Sequence, residues 1–70
     1  MRVLITGAGG NLGAGLTERL ADRHDLRLAD IVPIETRQPF VQLDVRNGEQ
    51  YIDAAAGVDL IVHTPAWHGI

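Results

Sequence analysis

An open parallel α/β sheet is the fold class this sequence predicts, and three observations predict it. A short apolar run, RVLIT, passes directly into TGAGGNLG, which places glycine at four of eight positions (residues 6–13). Leu12, Leu16 and Leu20 then recur every four residues, the spacing of one helix face. Beyond them, strand-like and helix-like segments follow in the order β-α-β-loop-β-α-β, which suits a parallel sheet with crossover helices.

Each element has a local reason. Arg2–Thr6 is apolar and bounded by glycine, so it reads as a buried strand. The leucine spacing carries a helix from Asn11 to about Arg23, and His24–Asp25 breaks it. Leu26–Asp30 (LRLAD) reads as a second strand. Residues 31–39 contain Pro33 and Pro39 and hold no sustained period, which predicts a loop. Phe40–Asp44 (FVQLD) is the third expected strand. Asn47–Ala56 is expected to be a helix, with Asn47 as its N-cap and Gly57 as its stop. Val58–His63 (VDLIVH) supplies the fourth strand. Right-handed crossovers let strands 1, 2 and 3 step one way and strand 4 return beside strand 1. The expected order is 3-2-1-4, with a crevice at the C-terminal ends of strands 1 and 4.

The totals set bounds. Seventy residues are one small domain at most, and a chain of that size buries only about 60% of its unfolded surface. The apolar content of 46% favours a folded chain over a disordered one. A net charge of −3 gives no electrostatic reason to bind nucleic acid or an acidic membrane. No run approaches the roughly 18 apolar residues of a membrane span. Val3–Leu4–Ile5 does not continue into a signal-peptide core, because glycine and asparagine follow. A soluble, cytoplasmic protein is the expectation. There is no cysteine, and His24, His63 and His68 match no zinc spacing, so no metal site is expected. All six basic residues are arginine, which excludes any mechanism that takes a lysine from these residues.

The glycine stretch carries the functional reading. Gly7 suits a tight turn out of the strand, where a side chain would be strained. Bare backbone at Gly10 suits close approach of a pyrophosphate. Gly13, one turn into the helix, suits tight packing of that helix on its strand. Gly9 occupies a free position in this pattern. Unsatisfied N–H groups and the dipole at the helix start favour an anion. The spacing is G-x-x-G-x-x-G, not G-x-G-x-x-G, whose sixth position here would be Leu12. A G-x-x-x-x-G-K-[ST] phosphate loop is excluded by the missing lysine. A glycine-rich turn without a ligand is the bland alternative.

With Thr6 in front, the motif T-G-x-x-G-x-x-G at Thr6, Gly7, Gly10 and Gly13 resembles the start of the extended short-chain dehydrogenase/reductases, the epimerase/dehydratase type. LRLADIVP followed by FVQLDV looks like bacterial uronate dehydrogenases as much as epimerases. The resemblance spans the whole chain but only the first quarter or so of such an enzyme. It implies that residues 1–70 are the N-terminal part of a Rossmann dinucleotide-binding domain, truncated after the fourth strand. It also implies cofactor contacts at Gly7, Gly10, Asn11, Leu12, Gly13, Asp30, Asp44, Val45, Thr64 and Ala66.

Asp30 ends the second strand, seventeen positions after Gly13, where a carboxylate can accept from ribose hydroxyls and repel a 2′-phosphate. NAD is therefore expected over NADP, although Arg37 lies in a loop from which it can reach a 2′-phosphate. Asp44 and Val45 fit the adenine-facing positions of the resemblance. His63 and Ala66 match its H-x-A-A stretch, from which Pro65 departs by removing an N–H. Trp67 and His68 then either border a substrate or pack. An ordinary turn role is the bland alternative for Asp30 and Asp44.

A complete enzyme of this kind is implied to pass a hydride between substrate and nicotinamide, with a Tyr-x-x-x-Lys pair as acid/base. Tyr51 is followed four positions on by Ala55, so that pair is absent and Tyr51 reads as packing. The expectation is an NAD-binding segment that is not catalytic by itself and whose parent enzyme acts on a sugar or sugar nucleotide. The alternatives are a nucleotide-binding regulatory module on the same fold and a remnant that binds nothing. The bare edge of the fourth strand predicts self-association.

Overall fold

The structure is a computed structural model, and it describes residues 1–64. Six elements follow one another: β1 (Arg2–Thr6), α1 (Asn11–Leu20), β2 (Asp25–Asp30), β3 (Phe40–Gln42), α2 (Gly48–Ala54) and β4 (Leu60–His63). The four strands form one parallel sheet in the order β3-β2-β1-β4, as expected. Residues 31–39 form neither helix nor strand.

Alternation along β1 divides the core into two layers. Val3 and Ile5 face one side with Leu26, Leu28 and Ala8, and Leu16, Leu20, Ile34 and Phe40 pack over them. Leu4 faces the other side with Ala29, Leu43 and Ala54, beneath Tyr51, Ala55 and Val58. Val3, Leu4 and Ile5 are all at most 1% exposed, so the central strand is enclosed on both faces. Tyr51 is packing, as its failed motif implies. Leu12 departs from the expected stripe: it is 67% exposed, while Leu16 and Leu20 reach the core.

Several boundaries differ from the expected ones, each for a local hydrogen-bonding reason. Helix α1 stops at Leu20 rather than near Arg23, because the Leu20 carbonyl accepts from both Arg23 and His24 N–H in a closing turn. Strand β3 stops at Gln42 rather than Asp44. The Asp44 carboxylate accepts the Arg46 N–H two residues on, which turns the chain out of the sheet. Strand β4 begins at Leu60 because Val58 N–H still bonds Ala55. Asp59 ties β4 to the start of β1: its carboxylate accepts Arg2 N–H at 2.8 Å, and its own N–H donates to Arg2 O at 2.9 Å.

Helix α2 is shorter than expected but carries the expected cap, the Asn47 side chain accepting Gln50 N–H at 3.1 Å. Gly57 takes φ +74° and ends the following turn. Arg27, on the α2 face of β2, donates to the carbonyls of Ala54 and Ala56 at the end of that helix. A cation there satisfies orphan carbonyls and complements the dipole.

Candidate functional site: a glycine turn at the switch point

The chain direction reverses its stepping between β1 and β4, and the glycine turn rises from the C-terminal end of β1 at that point. Gly7 has φ +68°. A Cβ on it would stand 1.9 Å from the Thr64 carbonyl oxygen, so no side chain fits. Thr64 N–H and Oγ1 both donate to Thr6 O, at 3.1 and 2.5 Å, and Oγ1 also reaches Gly7 O at 3.2 Å. The Thr64 hydroxyl is thus spent on closing β4 against the turn. Beside it, Thr6 Oγ1 and His63 Nδ1 lie 2.5 Å apart.

The other glycines sort by what surrounds them. A Cβ at Gly13 would come within 2.7 Å of Ala8 Cα and of Gly7 O, which are backbone atoms. The close packing expected of Gly13 is present, but against the turn rather than against the strand itself. A Cβ at Gly10 would make only an ordinary contact, 3.5 Å from Gly7 O, so the chain itself does not demand glycine there. Gly10 is also the N-cap of α1, and no side chain caps that helix. The loop amides can be followed one by one. Ala8 N–H bonds Ala29 O, Gly9 N–H bonds an Asp30 carboxylate oxygen at 2.8 Å, and Gly10 N–H bonds Gly7 O. The amides of the first helical turn come next, without a side-chain acceptor.

Gly9 is not a free position, contrary to the pattern reading. A Cβ on it would lie 2.8 Å from Ile34 Cγ2 and 2.9 Å from Asp30 Oδ2. Both atoms belong to side chains that the pattern alone does not bring near.

A cleft of about 200 Å³ opens along the C-terminal ends of the strands, and Gly7, Asp30, Asp44 and Val45 line it together with Thr6, Ile31, Leu43, Arg46 and His63. Gly10, Asn11, Leu12 and Gly13, on the glycine turn and the first turn of α1, do not line it. Thr64 backs the turn without lining the cleft, and Ala66 lies outside the described residues, as do Pro65, Trp67 and His68. A larger cavity of about 470 Å³ sits at the opposite, N-terminal ends of the strands beside Arg2, His24, Asp25 and Arg27. It lacks the glycine turn, which reaches the smaller cleft through Gly7, so chemistry favours the smaller cleft.

Arg46 is the charged cleft residue that sequence reasoning missed, beside the apolar Ala29, Ile31 and Leu43. Its Nε and Nη2 grip both Asp44 oxygens, at 3.0 and 2.8 Å, and its N–H adds a third bond. These hydrogen bonds hold the Asp44 carboxyl down at about 2, from an ordinary 3.8. A lowered carboxylate pKa stabilises the fold above the ordinary value, and the benefit is lost as pH falls towards 2. Asp44 is therefore anionic across the neutral range. The i, i+2 spacing of Asp44 and Arg46 was the available signal. Among the described residues no group of His, Asp and Glu could hold a metal ion, and no helix is long and apolar enough to cross a membrane.

Sheet order, glycine turn and cleft together define a Rossmann-like α/β unit. No protein-family model matches the chain. It is 41% identical over 70 residues to a 3-beta-hydroxysteroid dehydrogenase of Mycolicibacterium neoaurum, covering 93% of this chain and 19% of that protein. It is 38% identical over 69 residues to an L-arabinose 1-dehydrogenase (NAD(P)+) of Haloferax volcanii, covering 93% and 25%.

Among solved structures, uronate dehydrogenase from Agrobacterium tumefaciens and a point mutant of it complexed with NAD each align with a TM-score of 0.80 at 42% identity. Each match covers 89% of this chain and 25% of the other. A short-chain dehydrogenase/reductase superfamily protein from the same organism, with bound NAD, aligns with a TM-score of 0.88 at 26% identity, covering 99% and 21%. The relatives and structural neighbours are thus short-chain dehydrogenases/reductases of the NAD-dependent epimerase/dehydratase type, uronate dehydrogenase among them, and the chain matches their N-terminal portion only. It spans about a fifth to a quarter of the length of the relatives it matches.

Proposed function

We propose that residues 1–70 form the first part of a dinucleotide-binding domain, and that the protein containing it is an NAD-dependent dehydrogenase or epimerase/dehydratase acting on a sugar or a sugar derivative. The convergence of Gly7, Asp30, Asp44 and Val45 on one cleft at the switch point carries this reading. The residues present fit the cofactor. The missing side chain at Gly10, which no tight contact within the chain requires, and the uncapped amides of Asn11, Leu12 and Gly13 suit a pyrophosphate. The Asp30 carboxylate suits the adenosine ribose, with lone pairs left beyond its backbone bonds. Asp44 and Val45 suit the adenine, and Thr64, directly after β4, is on the side that the nicotinamide half would follow. When bound, the nicotinamide supplies hydride transfer. The residues of this chain bind and orient it and contribute no acid/base pair, so these residues alone are not catalytic.

NAD is favoured over NADP because Asp30 is an anion where a 2′-phosphate would sit. The structural neighbours complexed with NAD support that preference, while the arabinose dehydrogenase relative takes either cofactor by its name. The sugar assignment is supported by the arabinose and uronate enzymes, against one steroid enzyme. Leu60 and Ile61 on β4 are exposed, which supports association through that edge.

Calorimetric titration of the chain and of Asp30→Ala with NAD and NADP tests the reading. Hydrogen bonds to a charged group contribute about 1.5–3 kcal/mol, so Asp30→Ala is expected to weaken NAD by roughly 10- to 100-fold. NADP is expected to lose less, because removing the carboxylate also removes a repulsion. Equal losses contradict the ribose role, and the absence of heat with either cofactor from folded wild-type chain rejects the function.

A further inference from the structure

The bonds around Asp30 extend beyond a ribose contact. Its Oδ2 accepts Gly9 N–H at 2.8 Å and its Oδ1 accepts Val32 N–H at 3.2 Å. One carboxylate therefore ties the turn after β1 to the turn after β2, across a sequence separation of twenty-one residues. Ile34, from the same second turn, closes on Gly9 with its Cγ2 2.8 Å from where a Cβ would stand, and it also packs on the α1-side core.

We infer that Asp30 is a positioning residue for the glycine turn: it fixes the turn in the shape that receives a pyrophosphate before any ribose arrives. The inference rests on the dinucleotide reading and deepens it. Three consecutive turn amides point inward to acceptors of the protein, at Ala29 O, Asp30 Oδ2 and Gly7 O. Of these, only the middle bond depends on a side chain. With it in place, Gly9 N–H is withdrawn from the anion, and the Asn11, Leu12 and Gly13 amides, which no side chain caps, are left to receive it. Without it, a residue lacking a Cβ loses its one tether, and glycine has the largest backbone freedom to regain. Gly9 is required by the same arrangement, since a side chain there displaces the carboxylate.

The opposite reading has opposite consequences. A carboxylate that merely occupied an amide the phosphate needs would be an obstacle, and removing it would tighten anion binding. Charge must be held constant to separate the two, so the comparison is between Asp30→Asn and Asp30→Ala. Both are neutral, and only asparagine keeps an oxygen able to accept Gly9 N–H.

The experiment titrates inorganic pyrophosphate, which has no ribose, into the full chain and both variants by calorimetry, with amide hydrogen exchange of Gly9 read in parallel. Asp30→Asn is expected to bind pyrophosphate about 5- to 10-fold more tightly than Asp30→Ala and to keep Gly9 slow to exchange. In Asp30→Ala, Gly9 is expected to exchange like an open loop. Equal affinities in the two variants, or tighter binding by Asp30→Ala, overturn the positioning role while NAD binding by wild type leaves the site reading standing. Wild-type chain that binds neither NAD nor pyrophosphate overturns both. If Asp30→Ala fails to fold, wild-type Gly9 exchange decides: fast exchange of that amide in a folded chain shows that Asp30 does not hold it.

Discussion

Gly7→Ala is expected to unfold the chain. At φ +68° an L-residue costs about 1–2 kcal/mol before any contact is counted. The added Cβ would then meet the Thr64 carbonyl oxygen at 1.9 Å and its carbonyl carbon at 2.8 Å. That carbonyl belongs to a backbone held by the Thr64 bonds to Thr6 O, so relief requires β4 to part from β1 at their C-terminal ends. Overpacking of that severity adds about 1–3 kcal/mol or more. The sum is comparable with the whole stability of a domain this size, at roughly 0.05–0.15 kcal/mol per residue. Urea denaturation followed by far-ultraviolet circular dichroism should show no folded baseline. A variant with a midpoint close to wild type contradicts the geometry assigned to the turn.

Leu4→Ala is the second large effect, and its origin is packing alone. Leu4 is fully enclosed between its sheet neighbours and the α2 layer of Ala29, Leu43 and Ala54. Truncating a leucine at such a site costs about 2–5 kcal/mol, set by how far the surroundings collapse into the space. Few surroundings can move here, because Leu4 lies on the central strand with paired strands on both sides. The same denaturation series is expected to lose several kcal/mol of unfolding free energy with an unchanged m-value. A loss below about 1 kcal/mol would mean that the α2 layer is not packed as described.

The sheet order was legible in the sequence because it follows from general rules: apolar runs give strands, leucine spacing gives α1, and crossover handedness orders them. Gly7 and Gly13 were legible because each needs to lack a side chain for a backbone reason. Element ends were less so. Asp44 reads as a strand residue by alternation, yet its carboxylate captures Arg46 N–H and bends the chain away. Leu12 keeps the leucine period but sits at the helix start, above the core rather than on it. Gly9 was illegible for a different reason. What it must accommodate, Asp30 and Ile34, lies more than twenty residues away, and only tertiary structure brings them together. Thr64 resembles a ligand-facing residue by position, but the Thr6 and Gly7 carbonyls claim its hydroxyl.

The proposed function requires a dinucleotide to be held at the C-terminal ends of the strands and not in the larger cavity at the other end. Titration of isotope-labelled chain with NAD, followed by amide chemical shifts, tests it most directly. Shifts are expected at Gly7, Gly10, Asn11, Leu12, Gly13, Asp30, Asp44 and Val45, with His24, Asp25 and Gln38 unmoved. Shifts centred on those last three residues, or a folded chain whose spectrum does not change at millimolar NAD (about −4.1 kcal/mol of binding), would contradict it.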